Sequence, residues 1–245
     1  MLKAFADGRL FGATYGTGSP WVLALHGWRR THRDFDAVLV DVAAVALDLP
    51  GFGGSTPPPP APWGPADYAQ AVRPVLEDLD SRVVVLGHSY GGRVALHLAV
   101  ACPERVRALV VTGAPFLRSP RTASRRPDRR YRVARALHRV GVLGEERMEA
   151  VRRRHGSADY RAATGVMREV LVRSVNETDE DQLGAVTCPV ELVWGEADTE
   201  APPAVAEAAL ALLPDGRLTV RPGVGHFLPT EDPAALRAAL ERHRP

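Results

Sequence analysis

The chain of 245 residues alternates short apolar runs with stretches of helical spacing. Continuous apolar runs are typical of strands that are covered on both faces of a sheet. Helical spacing of apolar residues follows several of them, for example over Asp67–Asp80. Strand and helix patterns that alternate in this way predict βαβ units and a parallel sheet. The predicted strands are 21–25, 42–47, 82–87, 106–111, 189–194 and 218–221, and a hairpin over 2–6 and 9–15 precedes them.

The alternation stops between Phe116 and Thr187, where the sequence contains no strand-like apolar run. Three helical stretches are predicted there instead, at 131–140, 145–155 and 158–175. After this segment the strand and helix patterns resume, and the last helix is predicted at 233–243 with Asp232 as its N-terminal cap. We therefore expect a core domain formed by residues 1–115 and 188–245, and an inserted helical lid, residues 116–187, that lies over the sheet.

The charge of the chain is divided unevenly between these two parts. The net charge is +2, and all but one of the 31 basic residues are arginine. Residues 118–173 hold 16 arginines and six acidic residues, a balance of +10 that leaves −8 for the rest of the chain. Lid arginines are candidates for binding an anionic group of a substrate. Sixteen side chains cannot all face one pocket, however, so an exposed basic surface is the favoured interpretation.

Several classes of protein are disfavoured by the same sequence. No known nucleic-acid-binding module fits, and the acidic remainder of the chain opposes such a partner. Cys102 and Cys188 are far apart and lack zinc-site spacing, so we expect buried thiols and no bound metal. No stretch approaches the roughly 18 apolar residues of a membrane span, and no signal-peptide pattern is present. We expect a cytoplasmic protein without a membrane partner, either a monomer or a homodimer.

The segment Gly87-His-Ser-Tyr-Gly91 matches the pattern G-x-S-x-G in the context that this pattern requires. It follows a valine-rich strand and opens a helix, so Ser89 is predicted at a sharp turn with its hydroxyl above the sheet. A serine hydroxyl needs a general base, and the base needs an orienting acid. Asp198 and His226 each come directly after a predicted strand, where the sites of α/β sheets form. Nucleophile Ser89, acid Asp198 and base His226 are therefore the predicted catalytic residues.

Other residues compete for two of these roles. Glu196 and Glu200 are alternatives to Asp198 as the acid. Among the other histidines, His26 and His88 are interpreted as structural and His97 as a packed residue of a helix. The remaining four are predicted to be solvated: His32, His138, His155 and His243.

An oxyanion hole requires backbone N–H groups that point at the developing negative charge. The N–H of Tyr90 directly follows the predicted nucleophile, and the N–H of Trp28 lies in the loop after the strand that ends at Leu25. These two groups are the predicted donors.

The motifs together are similar to those of α/β-hydrolase fold proteins of the serine-nucleophile, esterase- and lipase-like type. The residues that carry the resemblance are His26–Trp28, Asp48–Ser55, Gly87–Gly92, Trp194–Asp198 and Gly225–His226. The resemblance implies an α/β fold with a mostly parallel eight-stranded sheet, flanking helices and no cofactor. It also leaves several reactions open, namely those of esterases, thioesterases, C–C bond hydrolases, perhydrolases and aminopeptidases, as well as non-catalytic binding.

The predicted function is therefore hydrolysis of a small or medium carboxylic ester through an acyl-enzyme on Ser89. The sequence is least informative about the substrate pocket. The residues predicted to line it are Arg29, Phe116, Tyr131, Leu143 and Met167.

Overall fold

The computed structural model describes residues 2–55, 58, 61–117, 129–155 and 157–245. In this part of the chain, eight strands form one sheet in the order β1-β2-β4-β3-β5-β6-β7-β8. Strand β2 runs antiparallel to its two neighbours, and the remaining pairs are parallel, so the predicted fold class is confirmed. The strands are β1 Leu2–Phe5, β2 Leu10–Tyr15, β3 Val22–Leu25, β4 Ala44–Asp48, β5 Val83–His88, β6 Val106–Thr112, β7 Val190–Gly195 and β8 Gly216–Arg221.

Helices follow most of the parallel strands. Those of the core are α1 Pro65–Glu77, α2 Tyr90–Ala101, α8 Pro203–Leu210, α9 Leu228–Glu231 and α10 Pro233–Glu241, with a 3₁₀ turn at His32–Phe35. Between β6 and β7 lie α3 Arg129–Arg139, α4 Glu145–His155, α5 Ala158–Ala162, α6 Gly165–Asn176 and α7 Glu180–Ala185. Residues 118–128 and 156 of the predicted lid lie outside the described residues. Among the described helices, none has both the length and the apolar character to cross a membrane.

The central strands are buried on both faces, as their apolar runs predict. Because side chains alternate along a strand, β5 contributes Val83 and Val85 to the core beneath α1 and α2. Val84 and Leu86 face the opposite core, which the 3₁₀ turn and α10 cover. Both faces of the sheet are packed. The carboxyl ends of the parallel strands lie at one edge of the sheet, and the loops that follow these strands meet there.

Two features of the helices differ from the sequence-based expectation. The helix predicted over 158–175 is divided into α5 and α6, because Ala163 and Thr164 are extended and Gly165 has a φ of +51°. A left-handed φ of this kind favours glycine and interrupts a continuous helix. The short helices α7 and α9 have no clear periodic signal and were not predicted. The predicted cap of the last helix is confirmed, since the Asp232 side chain accepts a hydrogen bond from the Ala235 amide.

Candidate active site

Ser89 occupies a strained turn between β5 and α2. Its φ is +51° and its ψ is −117°, a backbone conformation that non-glycine residues rarely adopt. The flanking glycines make the turn possible. A Cβ on Gly91 would overlap the Leu25 carbonyl oxygen, and a Cβ on Gly87 would collide with the backbone of Gly92. The turn therefore requires the glycine spacing that the sequence shows, and it presents the serine hydroxyl above the sheet edge.

The structure brings the three predicted catalytic residues together in one hydrogen-bonded chain. His226 Nε2 lies 3.2 Å from Ser89 Oγ, and His226 Nδ1 lies 2.8 Å from Asp198 Oδ2. Asp198 is 3% exposed, and its other oxygen accepts hydrogen bonds from the amides of Glu200 and Ala201. The loops after β5, β7 and β8 supply one residue each. This arrangement can transfer a proton from the serine hydroxyl to the imidazole.

The two alternative acids take other positions. The Glu196 carboxylate accepts a hydrogen bond from the Gly223 amide, 3.1 Å away. Glu200 Oε2 lies 3.5 Å from His226 Nε2, on the side of the ring that faces the serine. The geometry thus assigns the Nδ1 side of His226 to Asp198 alone among these three carboxylates.

The electrostatic environment of His226 favours its protonated form. Burial by itself lowers the pKa of the imidazole, but the hydrogen bond and negative charge of Asp198 outweigh it. Glu200 and Glu231 act in the same direction, so the pKa of His226 is raised above its ordinary value of 6.5. An imidazole with a raised pKa is a stronger base toward the serine proton.

Two further histidines stabilise the loops around the site. His26 Nδ1 lies 2.7 Å from the Gly27 carbonyl oxygen, and its Nε2 accepts the Leu49 amide hydrogen at 2.9 Å. His88 Nε2 lies 3.0 Å from the His226 carbonyl oxygen. Burial lowers the pKa of His26 to about 4 and the pKa of His88 to about 3. Both rings are therefore neutral at pH 7. Their hydrogen bonds to loop backbone agree with the structural role that the sequence predicts.

The predicted oxyanion donors border the same space. Tyr90 is the first residue of α2, so its N–H has no intrahelical acceptor. Trp28 lies in a turn in which the Arg30 amide bonds the Gly27 carbonyl, and its own amide meets no acceptor among the described residues. Trp28 and Tyr90 both line the cavity that contains Ser89. The assignment of their amides to an oxyanion hole stays a prediction.

The cavity at Ser89 has a volume of about 470 Å³. This volume is within the range that is usual for small-molecule sites. Its walls come from the loop after β6, from α5, α6 and their flanking residues, and from α8. The lining residues besides the catalytic ones include Pro115, Leu117, Asp159, Leu171, Ser174, Val175, Glu177, Glu200 and Val205.

The five residues that the sequence analysis placed in the pocket are not among those that line this cavity. Phe116 is buried in the core, and Met167 packs against that core beside Gly51. Leu143 lines a separate groove between α3 and α4, and Tyr131 belongs to α3. Arg29 lies at the rim, where its guanidinium pairs with Asp159 at 3.3 Å. Helical spacing identifies an apolar face, but it does not indicate which face points at the serine.

Carboxylates at the cavity were also missed by the sequence analysis. Asp159, Glu177 and Glu200 line it, whereas no lysine or arginine is among its described lining residues. Among the described residues, no arginine of the basic segment 118–173 therefore lines the cavity at the nucleophile. Among the described residues, no group of three or more His, Cys, Asp or Glu side chains is arranged to hold a metal ion.

Three histidines that were predicted to be solvated are instead paired. His32 Nδ1 lies 2.8 Å from the buried Asp48 carboxylate. His138 Nδ1 contacts the Leu143 carbonyl oxygen at 2.9 Å, and His243 Nε2 lies 3.4 Å from Glu191. The side chain of His155 lies outside the described residues. Polar sequence neighbours alone did not reveal these tertiary partners.

Comparison with known proteins identifies the family to which the chain belongs. The family model of the alpha/beta hydrolase family matches residues 22–239, so the chain belongs to that family. A pimeloyl-[acyl-carrier protein] methyl ester esterase of Edwardsiella ictaluri is 28% identical over 255 residues, which cover 94% of this chain and 95% of that protein. A 2-hydroxy-6-oxononadienedioate/2-hydroxy-6-oxononatrienedioate hydrolase of Cupriavidus pinatubonensis is 26% identical and covers 86% and 82%.

A solved structure supports the fold in the same way. A serine hydrolase involved in carbazole degradation superimposes with a TM-score of 0.72 at 21% identity, covering 99% of this chain and 98% of that chain. The family membership that the sequence motifs predict is confirmed, and the relatives named here are hydrolases.

Proposed function

We propose that this protein is a serine hydrolase that cleaves carboxylic esters with small or medium acyl groups. The observation that carries the proposal is the hydrogen-bonded chain from Ser89 through His226 to Asp198 at the wall of a cavity. The relatedness to a methyl ester esterase along nearly the whole chain supports the same bond type. We further propose that residues 116–187 act as a lid, because residues of this segment line the cavity.

The proposed reaction has two halves. Ser89 Oγ attacks the ester carbonyl carbon while His226 Nε2 accepts its proton, and Asp198 stabilises the resulting imidazolium. The Trp28 and Tyr90 amides hold the oxyanion, which collapses to the acyl-enzyme as the alcohol leaves with the proton from His226. Water then attacks the acyl group with His226 as the base, and the carboxylic acid leaves Ser89 free again.

The cavity lining favours uncharged esters. Leu117, Leu171, Val175 and Val205 supply apolar surface for an acyl or alcohol chain. Two of the three lining carboxylates are paired, Asp159 with Arg29 and Glu177 with Arg173. Glu200 is the one of the three that can repel a substrate carboxylate near the scissile bond. This lining does not support the alternative in which arginines of residues 116–187 bind an anionic group of the substrate.

A C–C bond hydrolase is the second candidate, and it is favoured by the similarity to the Cupriavidus enzyme. That enzyme's name describes a dioate, a substrate with two carboxylates. No lysine or arginine is among the described lining residues to receive such a group. The lack of a cationic side chain among the described lining residues therefore favours the ester hydrolase over this alternative.

A panel of p-nitrophenyl esters of increasing acyl length tests the proposal. We expect turnover by the wild type, and a loss of about 10⁴-fold or more in kcat for Ser89→Ala, because the nucleophile is removed. Ser81→Ala is the matched control, since Ser81 is exposed and precedes β5. Wild-type protein that cleaves no ester would contradict ester hydrolysis. Activity that persists in Ser89→Ala would contradict the mechanism.

A further inference from the structure

The helix pair α3–α4 carries a surface that the proposed reaction does not use. We propose that this surface binds anionic lipid membranes in the plane of the headgroups. We call it the basic apolar face. It consists of Val133, Leu137, Val140 and Val142 together with Arg129, Arg132, Arg135, Arg139 and Arg147.

The apolar part of this face is unusually exposed. Helix α3 has no buried residue, and Val133 and Leu137 are 53% and 40% exposed. Val140 and Val142, in the turn that follows, are 72% and 71% exposed. Four of the ten large apolar side chains that are exposed in the described part of the chain thus fall within ten residues. Clustered exposed apolar side chains mark an interaction surface more than scattered ones do.

The charge of the same helix is strongly positive. Its eleven residues include five arginines and no acidic residue. Arg132, Arg135 and Arg139 have no ion-pair partner among the described residues, whereas Arg152 and Arg153 of α4 pair with Glu145 and Glu149. These three arginines of α3 are therefore not neutralised by side chains of the part of the chain that the structure describes.

The two kinds of residue are arranged along α3 as an interfacial helix requires. Val133, Leu137 and Val140 are spaced by four and three residues, so they share one face. Arg132, Arg135 and Arg139 are spaced by three and four residues and lie roughly 130° around the helix from the apolar positions, on its polar side. A helix with this arrangement places its apolar face among the acyl chains and its cations among the phosphates.

A groove between α3 and α4 extends the apolar face. It has a volume of about 730 Å³, and Val133, Leu137, Leu143 and Val151 line it together with Arg129, Arg130 and Arg147. Apolar walls with an arginine rim suit a lipid chain whose phosphate remains at the surface. The groove thus suits both the acyl chain and the phosphate of one anionic lipid.

Other occupants fit the face less well. A second copy of this chain would bring arginines against arginines across a symmetric contact. A nucleic acid would neutralise the arginines but would leave the exposed valines without an apolar partner. An anionic membrane supplies phosphates for the arginines and acyl chains for the valines. Helix α3 is too short to cross a membrane, so the contact is at the membrane interface. The sequence-based expectation of no membrane partner would then be wrong for surface binding.

Co-sedimentation with vesicles tests the inference independently of catalysis. We expect the wild-type chain to bind vesicles of one-third phosphatidylglycerol and two-thirds phosphatidylcholine, and not pure phosphatidylcholine, with weaker binding at high salt. Replacing Arg132, Arg135 and Arg139 together by glutamine should lower the affinity about 100-fold, at roughly fivefold for each charge. The control replaces Arg33, Arg217 and Arg244, which are exposed elsewhere, and should change the affinity less than about threefold.

The apolar contribution is tested separately. Val140→Ser with Val142→Ser should weaken vesicle binding about tenfold or more, because both side chains would otherwise be buried in the membrane. Val40→Ser with Leu212→Ser is the control, since these residues are exposed outside the face. Circular dichroism and urea unfolding check that each variant is folded.

Three results would overturn the inference. The first is no binding to phosphatidylglycerol vesicles by the wild type. The second is equal loss in the two arginine variants, which would indicate a response to net charge. The third is binding to single-stranded DNA as tight as to vesicles and unchanged by the valine substitutions, which would indicate a general polyanion site. None of these results bears on ester hydrolysis, which is measured on dissolved esters.

Discussion

His226 is surrounded by carboxylates that act on it from different sides. Asp198 hydrogen-bonds Nδ1 and is inaccessible to solvent, whereas Glu200 lies 3.5 Å from Nε2 with a side chain that is 60% exposed. Both stabilise the protonated ring, and Glu231 adds to them. Only Glu200 combines closeness to the reacting nitrogen with freedom from a structural hydrogen bond. Substitution of Glu200 should therefore change the pH dependence of activity without breaking the hydrogen bonds that hold the site together.

We expect Glu200→Gln to shift the acid limb of the pH dependence of kcat/KM to lower pH. The glutamate charge raises the pKa of His226, so its removal lowers that pKa and keeps the base unprotonated in more acidic solution. The shift should shrink at high salt, because the glutamate is exposed. Glu207→Gln on α8 is the control, and its profile should match the wild type. A profile for Glu200→Gln that moves to higher pH would contradict this account.

The helix of the nucleophile is joined to the cavity wall by a buried ion pair. Arg93 of α2 donates to both Asp179 oxygens, at 2.6 and 3.1 Å, and both residues are 1% exposed. The same guanidinium donates to the Ser174 carbonyl and hydroxyl oxygens, and His97 Nε2 lies 2.9 Å from Asp179. Because Ser174 lines the cavity, this network connects α2 with the wall formed by α6.

Breaking the pair should be strongly destabilising. Arg93→Met removes both guanidinium contacts and leaves the buried Asp179 carboxylate with only the ring of His97 beside it, which costs about 3–5 kcal/mol of the free energy of unfolding. Urea unfolding measures the change. Arg73→Met is the matched control, since Arg73 forms an exposed ion pair with Glu77 on α1, and its unfolding midpoint should stay near that of the wild type. A midpoint for Arg93→Met as high as that of Arg73→Met would contradict the assignment.

Elements differ in how well the sequence predicts them. Strands such as β5 are continuous apolar runs that can be recognised locally because both faces are buried. The break at Gly165 depends on one backbone angle, which periodicity does not contain. The acidic cavity wall depends on the orientation of α5 and α6 over the sheet, and this is a tertiary property. The closeness of Ser89, Asp198 and His226 could be predicted because the carboxyl ends of parallel strands meet at one edge of the sheet. This holds independently of how the inserted segment folds.

At the scale of the whole molecule, the uneven charge of the chain corresponds to separate regions of the structure. The catalytic candidates and the carboxylates at the cavity are separated from the arginines of α3, although residues of the segment 116–187 contribute to both regions. The charge balance of a segment therefore did not predict the charge of the pocket that it covers. Individual positions on its helices decide which side chains face the nucleophile and which face solvent.

The stability of the whole molecule should depend on acid through His26 and His88. Burial lowers their pKa values to about 4 and about 3, whereas in the unfolded chain both titrate near 6.5. Between these values the unfolded chain binds more protons, so the free energy of unfolding falls as the pH is lowered from about 6.5 toward 4. Each histidine contributes up to about 1.4 kcal/mol per pH unit. His226, with its raised pKa, opposes this trend at the upper end of the window.

Urea unfolding at several pH values should show the decline in the free energy of unfolding, and His88→Gln should lessen the slope of that decline. An unchanged slope would mean that His88 is not held neutral by the fold.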